Sequence, residues 1–377
     1  MKMNSNNRLL FKFMVPVAML SILMWGCERD LDEVEPATYP TNPEVFIDGF
    51  SAGLNYAAFG GSVPTAFDVD NTVTYDGSDA SMRFDVPDAG DPRGAYAGGA
   101  YFTSSGRDLS SYNALTFWAK ATQSATLDVV GFGNDLGASK YQVTISGLAV
   151  TTAWKKYIIP IPDPSRLKAE QGMFFYSEGP EDGKGYTFWI DEVKFEDLGT
   201  LAHPQYAILN GQDQEEVSFV GVTKNIGGLV SIINLPSGVD QAVNAAPAYF
   251  EFTSSDPSIA EVDDAGMVSV VGGPGDAVIT ASMGGIPAEG SLTIQSLGTF
   301  QHAPAPVQPP ANVISIFSDA YTNVPVDYYN GYWQPYQTTL SADFEVEGDH
   351  VLHYTNFNFV GIEFSNPTID ASAMTHL

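Results

Sequence analysis

The chain has 377 residues, enough for two or three domains that each bury a core. It carries 45 Asp and Glu against 16 Lys and Arg, a formal charge of -29 that repels phosphate backbones and argues against nucleic acid as a partner. Twelve per cent aromatic residues together with 36 Gly and 24 Pro predict an all-β protein of short strands and turns, not a helical bundle.

Lys2, Arg8 and Lys12 precede an apolar stretch, residues 13–25, that is too short to span a bilayer comfortably and predicts a signal peptide over 1–26. The stretch ends in Leu23-Met24-Trp25-Gly26-Cys27, and Cys27 is the only cysteine, so an intrachain disulfide is excluded. A small residue directly before a lone Cys resembles the lipobox of bacterial lipoproteins, which implies lipidation of Cys27. The run Glu28-Arg29-Asp30-Leu31-Asp32-Glu33 then resembles the surface-export tether of Bacteroidetes lipoproteins. With Pro36, Pro40 and Pro43 it reads as an extended tether over 27–43, and the two resemblances imply an outer-membrane, cell-surface protein held by a lipid anchor.

Residues 44–198 hold short apolar runs, among them 80–86, 114–119, 125–130, 155–161 and 186–195, separated by Gly, Asp, Ser and Pro. This spacing predicts a jelly-roll β-sandwich. Sugar recognition needs aromatic faces with polar groups beside them, and Tyr96, Tyr101, Trp118, Tyr141 and Tyr176 are the candidates in this segment. In residues 115–120, strand alternation puts Leu115, Phe117 and Ala119 on one face and Trp118 on the other, so a core under Leu115 sends Trp118 to the outer sheet face. Trp154 reads as a packing residue. The runs Phe46-Ile47-Asp48-Gly49-Phe50 and Tyr186-Thr187-Phe188-Trp189-Ile190-Asp191 resemble the paired terminal strands of galactose-binding-like carbohydrate-binding modules. The resemblance implies a structural Ca²⁺ held by Asp48, Asp191 and the turn acid Asp76.

Residues 205–298 form a second all-β block. The segments Phe252-Thr253-Ser254-Ser255-Asp256-Pro257, Gly266-Met267-Val268-Ser269-Val270 and Gly275-Asp276-Ala277-Val278-Ile279-Thr280 resemble the bacterial Ig-like group 2 domain, with Phe252 where that family usually has a core Trp. Pro304, Pro306, Pro309 and Pro310 make 299–311 a semi-rigid linker. Residues 312–377 parallel the start of the first sandwich: Ile316-Phe317-Ser318-Asp319 matches residues 46–49 and Gly361-Ile362-Glu363-Phe364 matches 99–102. The expectation is the N-terminal part of a second jelly roll in a longer protein, with Tyr329, Tyr332 and Trp333 as a ligand platform.

A catalytic constellation is not legible. The five histidines, His203, His302, His350, His353 and His376, all lie outside the first sandwich, and His350 and His353 are spaced for opposite faces of a strand. The expected role is capture of a polysaccharide such as a laminarin-like β-glucan, beside a sugar-importer complex. Rival readings are the non-catalytic N-terminal region of a glycoside hydrolase and an Ig-like adhesin or structural surface protein.

Overall fold

The computed structural model describes residues 38–331, 333–365 and 368–375. The expected signal peptide, Cys27 and most of the acidic tether lie outside them, as does Tyr332. Among the described residues the chain is all β, with 3-10 turns and no α-helix, as expected from the sequence.

The first sandwich holds β1 (Glu44–Phe46), β2 (Leu54–Ala58), β3 (Phe67–Asp70), β4 (Ser81–Asp85), β5 (Ala97–Arg107), β6 (Ala114–Ala121), β7 (Ala125–Phe132), β8 (Val143–Val150), β9 (Lys155–Pro160), β10 (Glu170–Glu178) and β11 (Thr187–Glu196). One sheet runs β3-β4-β11-β6-β9, with β1 also pairing to β11. The opposing sheet contains β8-β7-β10-β5-β2. Their inner faces follow the two-residue period: Leu115, Phe117 and Ala119 of β6 and Phe188 and Ile190 of β11 are fully buried. Each large apolar side chain so buried contributes about 1.5–3 kcal/mol. Phe84 stacks on Phe188 at 4.7 Å near the middle of this core. The buried Arg107 donates to the carbonyls of Asn42 and Glu44 and to Ser51 Oγ, and so ties the entering chain to the sandwich.

The second block holds β12 (Ala202–Ala207), β13 (Asp213–Ser218), β14 (Thr223–Asn225), β15 (Val230–Asn234), β16 (Asp240–Ala245), β17 (Glu251–Ser254), β18 (Ala260–Val262), β19 (Met267–Val270), β20 (Gly275–Met283), β21 (Ile286–Pro287) and β22 (Ser291–Ser296). Its sheets are β13-β22-β20-β17, with β21 on β20, and β14-β19-β18. The remaining strands, β12-β15-β16, continue the second sheet of the first sandwich, because β16 pairs with β8 through Asn244 and Thr144 and through Ala245 and Val143. An eight-stranded sheet therefore crosses from one sandwich into the next. Beyond the Pro-rich segment, β23 (Leu340–Val346) and β24 (Asp349–Thr355) form a hairpin whose Val346 is buried.

Candidate glycan platform

The outer face of the six-stranded sheet is aromatic where a solvated face would be polar. β6 sends Trp118 outward between the buried Phe117 and Ala119 and Lys120 outward between Ala119 and Ala121, and β11 sends Trp189 outward between Phe188 and Ile190. In the ladder Trp189 stands opposite Lys120 and Asp191 opposite Trp118. Tyr75, from the loop between β3 and β4, lies flat on Trp118 with centroids 3.8 Å apart and planes 15° apart. Trp154, just before β9, meets Tyr75 edge to face at 6.0 Å. The Lys120 ammonium is 6.0 Å from the Trp154 ring and 5.9 Å from the Trp189 ring, a cation held between two indoles with no ion pair among the described residues. Trp189 Nε1 donates to Asp70 Oδ2 at 2.9 Å, which fixes the plane of that indole. All four rings are half-buried, so each keeps part of its surface for solvent. Such a surface offers flat apolar faces for pyranose C–H groups and polar groups for hydroxyls.

The loop that carries Tyr75 is anchored from below. Asp191 is fully buried, and its Oδ2 accepts the Tyr75 N–H at 2.9 Å while its Oδ1 accepts the Glu192 N–H at 2.8 Å. Burial pushes the Asp191 carboxyl up, and these donated hydrogen bonds oppose the rise. Glu192 takes a positive φ of 53°, a bulge that returns Val193 to the core. Ser78 Oγ lies 2.7 Å from Asp48 Oδ1, 2.9 Å from the Ala80 carbonyl and 3.4 Å from Asp191 Oδ1. One hydroxyl proton serves only one of those three acceptors, so oxygen crowds oxygen here, and a hard cation would relieve that crowding. Asp48, Asp191, Ser78 and the Ala80 carbonyl thus gather oxygens of the type Ca²⁺ takes, four of the six to eight it needs. Asp76 departs from the expected set: it is an exposed turn residue with a positive φ of 43°. Among the described residues no cluster of three or more His, Cys, Asp or Glu is placed to hold a metal, so the expected three-carboxylate site does not form.

The other candidates scatter. Tyr101 and Tyr176 are 1% exposed, packed on the core side, and present no face to a ligand, which corrects the expectation for both. Alternation in residues 97–102 is masked by Gly98, Gly99 and Ala100, so the sequence did not reveal which way Tyr101 points. Tyr96 lies on the outer face of the opposing sheet, its ring over Gly98, where a Cβ would come within 2.5 Å of it. Tyr141 stands at the seam of the two sandwiches, edge to face with Tyr249 at 5.3 Å. In the tail, Tyr329 is half-buried and donates to the Ile316 carbonyl, whereas Trp333 is 49% exposed above Gly361. Trp154 belongs to the aromatic cluster and not to the core, a second correction. Trp189 and Tyr75 were missed; strand alternation around Phe188 and Ile190 would have found Trp189, but nothing local marks Tyr75.

The fold that carries this face is an all-β sandwich. Residues 47–197 match the family described as carbohydrate binding domain 30, the segment that carries the whole aromatic cluster, and this match supports a carbohydrate-binding domain. Among solved structures the chain is similar to the family 30 carbohydrate-binding module of a cellulosomal cellulase of Clostridium thermocellum, at 21% identity over 43% of this chain and 96% of that one, with a TM-score of 0.28. It is also similar to a family 11 carbohydrate-binding module of a cellulosomal cellulase of the same organism, at 14% identity over 45% of this chain and 99% of that one, with a TM-score of 0.30. A third likeness is to a β-1,2-glucanase from Parabacteroides distasonis, at 13% identity over 70% of this chain and 39% of that one, with a TM-score of 0.28. No curated protein matches the chain.

Proposed function

We propose that this is a surface-held polysaccharide-binding protein whose first sandwich captures a neutral β-glucan on the Tyr75, Trp118, Trp154 and Trp189 face. The observation that carries the reading is the gathering of four rings and one unpaired ammonium on the solvent side of a single sheet. Rings in that position add nothing to the core and suit a flat sugar chain. Acyl chains on Cys27 hold the protein at the outer membrane of a bacterium, the acidic stretch stands it off the surface, and the captured glycan passes to a sugar importer. Ca²⁺ bound at Asp48, Asp191 and Ser78 stiffens the loop beneath Tyr75 and takes no part in chemistry. The platform binds and holds; it does not cleave.

Isothermal titration of the whole chain with laminarin and a panel of plant and algal glycans tests this. Saturable binding that weakens about tenfold in Trp189→Ala and again in Trp154→Ala, about 1.4 kcal/mol for each ring, is expected. Binding that is absent for every glycan, or unchanged in the double variant, removes the proposal.

A further inference from the structure

A cavity of about 550 Å³ opens where the two sandwiches meet, within the roughly 300–1,000 Å³ typical of small-molecule sites. Lys140 and Tyr141 line it from the loop before β8, Arg166 from the turn after β9, and Phe250, Glu251 and Phe252 from the start of β17. It shares no residue with the aromatic platform.

Its walls are fixed by bonds that cross the seam. The Ala246 N–H donates to the Gln142 carbonyl at 2.9 Å, the Tyr249 hydroxyl donates to the Tyr141 carbonyl at 3.1 Å, and Arg166 Nη2 meets Glu251 Oε1 at 3.3 Å. Tyr249 is fully buried beneath the site. The cavity is therefore preorganised, and a ligand would not have to order its walls.

The lining selects a ligand class. The half-buried Phe252 brings one ring from one sandwich, with the buried Phe250 6.0 Å behind it, and the half-buried Tyr141 brings a second ring from the other. The Lys140 ammonium sits 5.3 Å from the Tyr141 ring, and neither it nor the Tyr141 hydroxyl has a hydrogen-bond partner among the described residues. Glu251 and Asp264 face the same space and balance Arg166 and Lys140, so the lining has no net positive charge to draw phosphate or sulfate, while the charged rim disfavours a purely apolar guest. Ring faces flanked by carboxylate, guanidinium and ammonium suit a pyranose, with its apolar C–H surface and ring of hydroxyls.

We infer that the seam cavity is a second pyranose-binding subsite, built jointly by both sandwiches and reached by a chain end or a short oligosaccharide. The inference rests on the reading of the chain as a polysaccharide binder. Two sites on one rigid body would hold a polymer more tightly than either alone.

Equilibrium titration of the whole chain with short β-linked glucose, xylose and galactose oligosaccharides separates the two sites. The expected result is two binding equivalents. Tyr141→Ala should remove one by weakening it at least about tenfold, and Ala265→Arg, which fills the mouth from an exposed turn without touching the packing, should do the same. The Trp154→Ala, Trp189→Ala double variant should remove the other. A single equivalent that survives Tyr141→Ala and Ala265→Arg but is lost with the two tryptophans overturns the seam site and leaves the platform standing. A single equivalent lost only with the seam variants keeps the seam site and overturns the platform. No binding of any oligosaccharide overturns both.

Discussion

Tyr75 is held on the platform by a residue that never reaches the surface: its backbone N–H donates to Oδ2 of the fully buried Asp191, 116 positions later in the chain, at 2.9 Å. That bond turns the loop so that the Tyr75 ring covers Trp118. On the proposed reading a glycan on this face would meet Tyr75, with Trp118 supporting that ring from beneath.

Tyr75→Ala should therefore weaken glycan binding about as much as Trp189→Ala, whereas Tyr75→Phe should leave it within about twofold, since the ring and not the hydroxyl makes the stack. Calorimetric titration distinguishes these. Equal losses in Tyr75→Ala and Tyr75→Phe would place the recognition in the hydroxyl and contradict the stack.

The crowding of oxygens around Ser78 gives a metal test. Added Ca²⁺ should raise the melting temperature of the whole chain by a few degrees, a chelator should reverse the rise, and Asp191→Asn should abolish the response. A melting curve indifferent to both reagents would show that Asp48 and Asp191 are satisfied by backbone N–H donors and the Ser78 hydroxyl without a metal.

The shared sheet makes the two sandwiches one unfolding unit. A single calorimetric transition is expected, and Tyr249→Ala, which empties a fully buried ring position at the seam, should cost about 3–5 kcal/mol and split the transition in two. Two transitions in the unaltered chain would mean that the pairing of β8 with β16 does not couple them.

Stability should peak in mildly acidic solution. Glu178 is buried and accepts the Asp128 N–H at 2.6 Å and the Tyr186 hydroxyl at 2.8 Å; burial, the larger effect, holds its pKa up at about 7. A carboxyl whose folded pKa stands above its unfolded value of about 4.3 stabilises the fold fully below that value and loses the effect as the pH rises through 7. Asp70 shifts the other way. Burial raises it, but hydrogen bonds from Thr72, Trp189 and Val73 outweigh this and hold its pKa at about 2. Arg93 holds Asp91 at about 2 as well, so both stabilise above their unfolded pKa near 4 and lose the effect as the pH falls to 2. Melting temperature should therefore be highest near pH 5, and Glu178→Gln should flatten its decline between pH 5 and 8. An unchanged decline in that variant would assign the slope to other groups.

The sequence by itself determined the all-β class, the positions of most strands in the first sandwich and the outward direction of Trp118, because these follow from a two-residue period and from turn residues, which are local. Asp48, Asp76 and Asp191 were named only through the resemblance of residues 46–50 and 186–191 to the terminal strands of carbohydrate-binding modules. Direction was unreadable where small residues interrupted the period: Gly98 to Ala100 left Tyr101 undecided, and only packing against Phe50 and Tyr56 placed its ring inside. Tertiary structure alone brought Tyr75 onto Trp118, put Trp154 beside them, left Asp76 out of the Ser78 cluster and carried β16 onto the edge of β8. Each of these joins residues far apart in the chain, and no local pattern encodes which loop folds over which strand. That outcome depends on the closing of the whole sandwich, where a single buried carboxylate, Asp191, decides where a loop comes to rest.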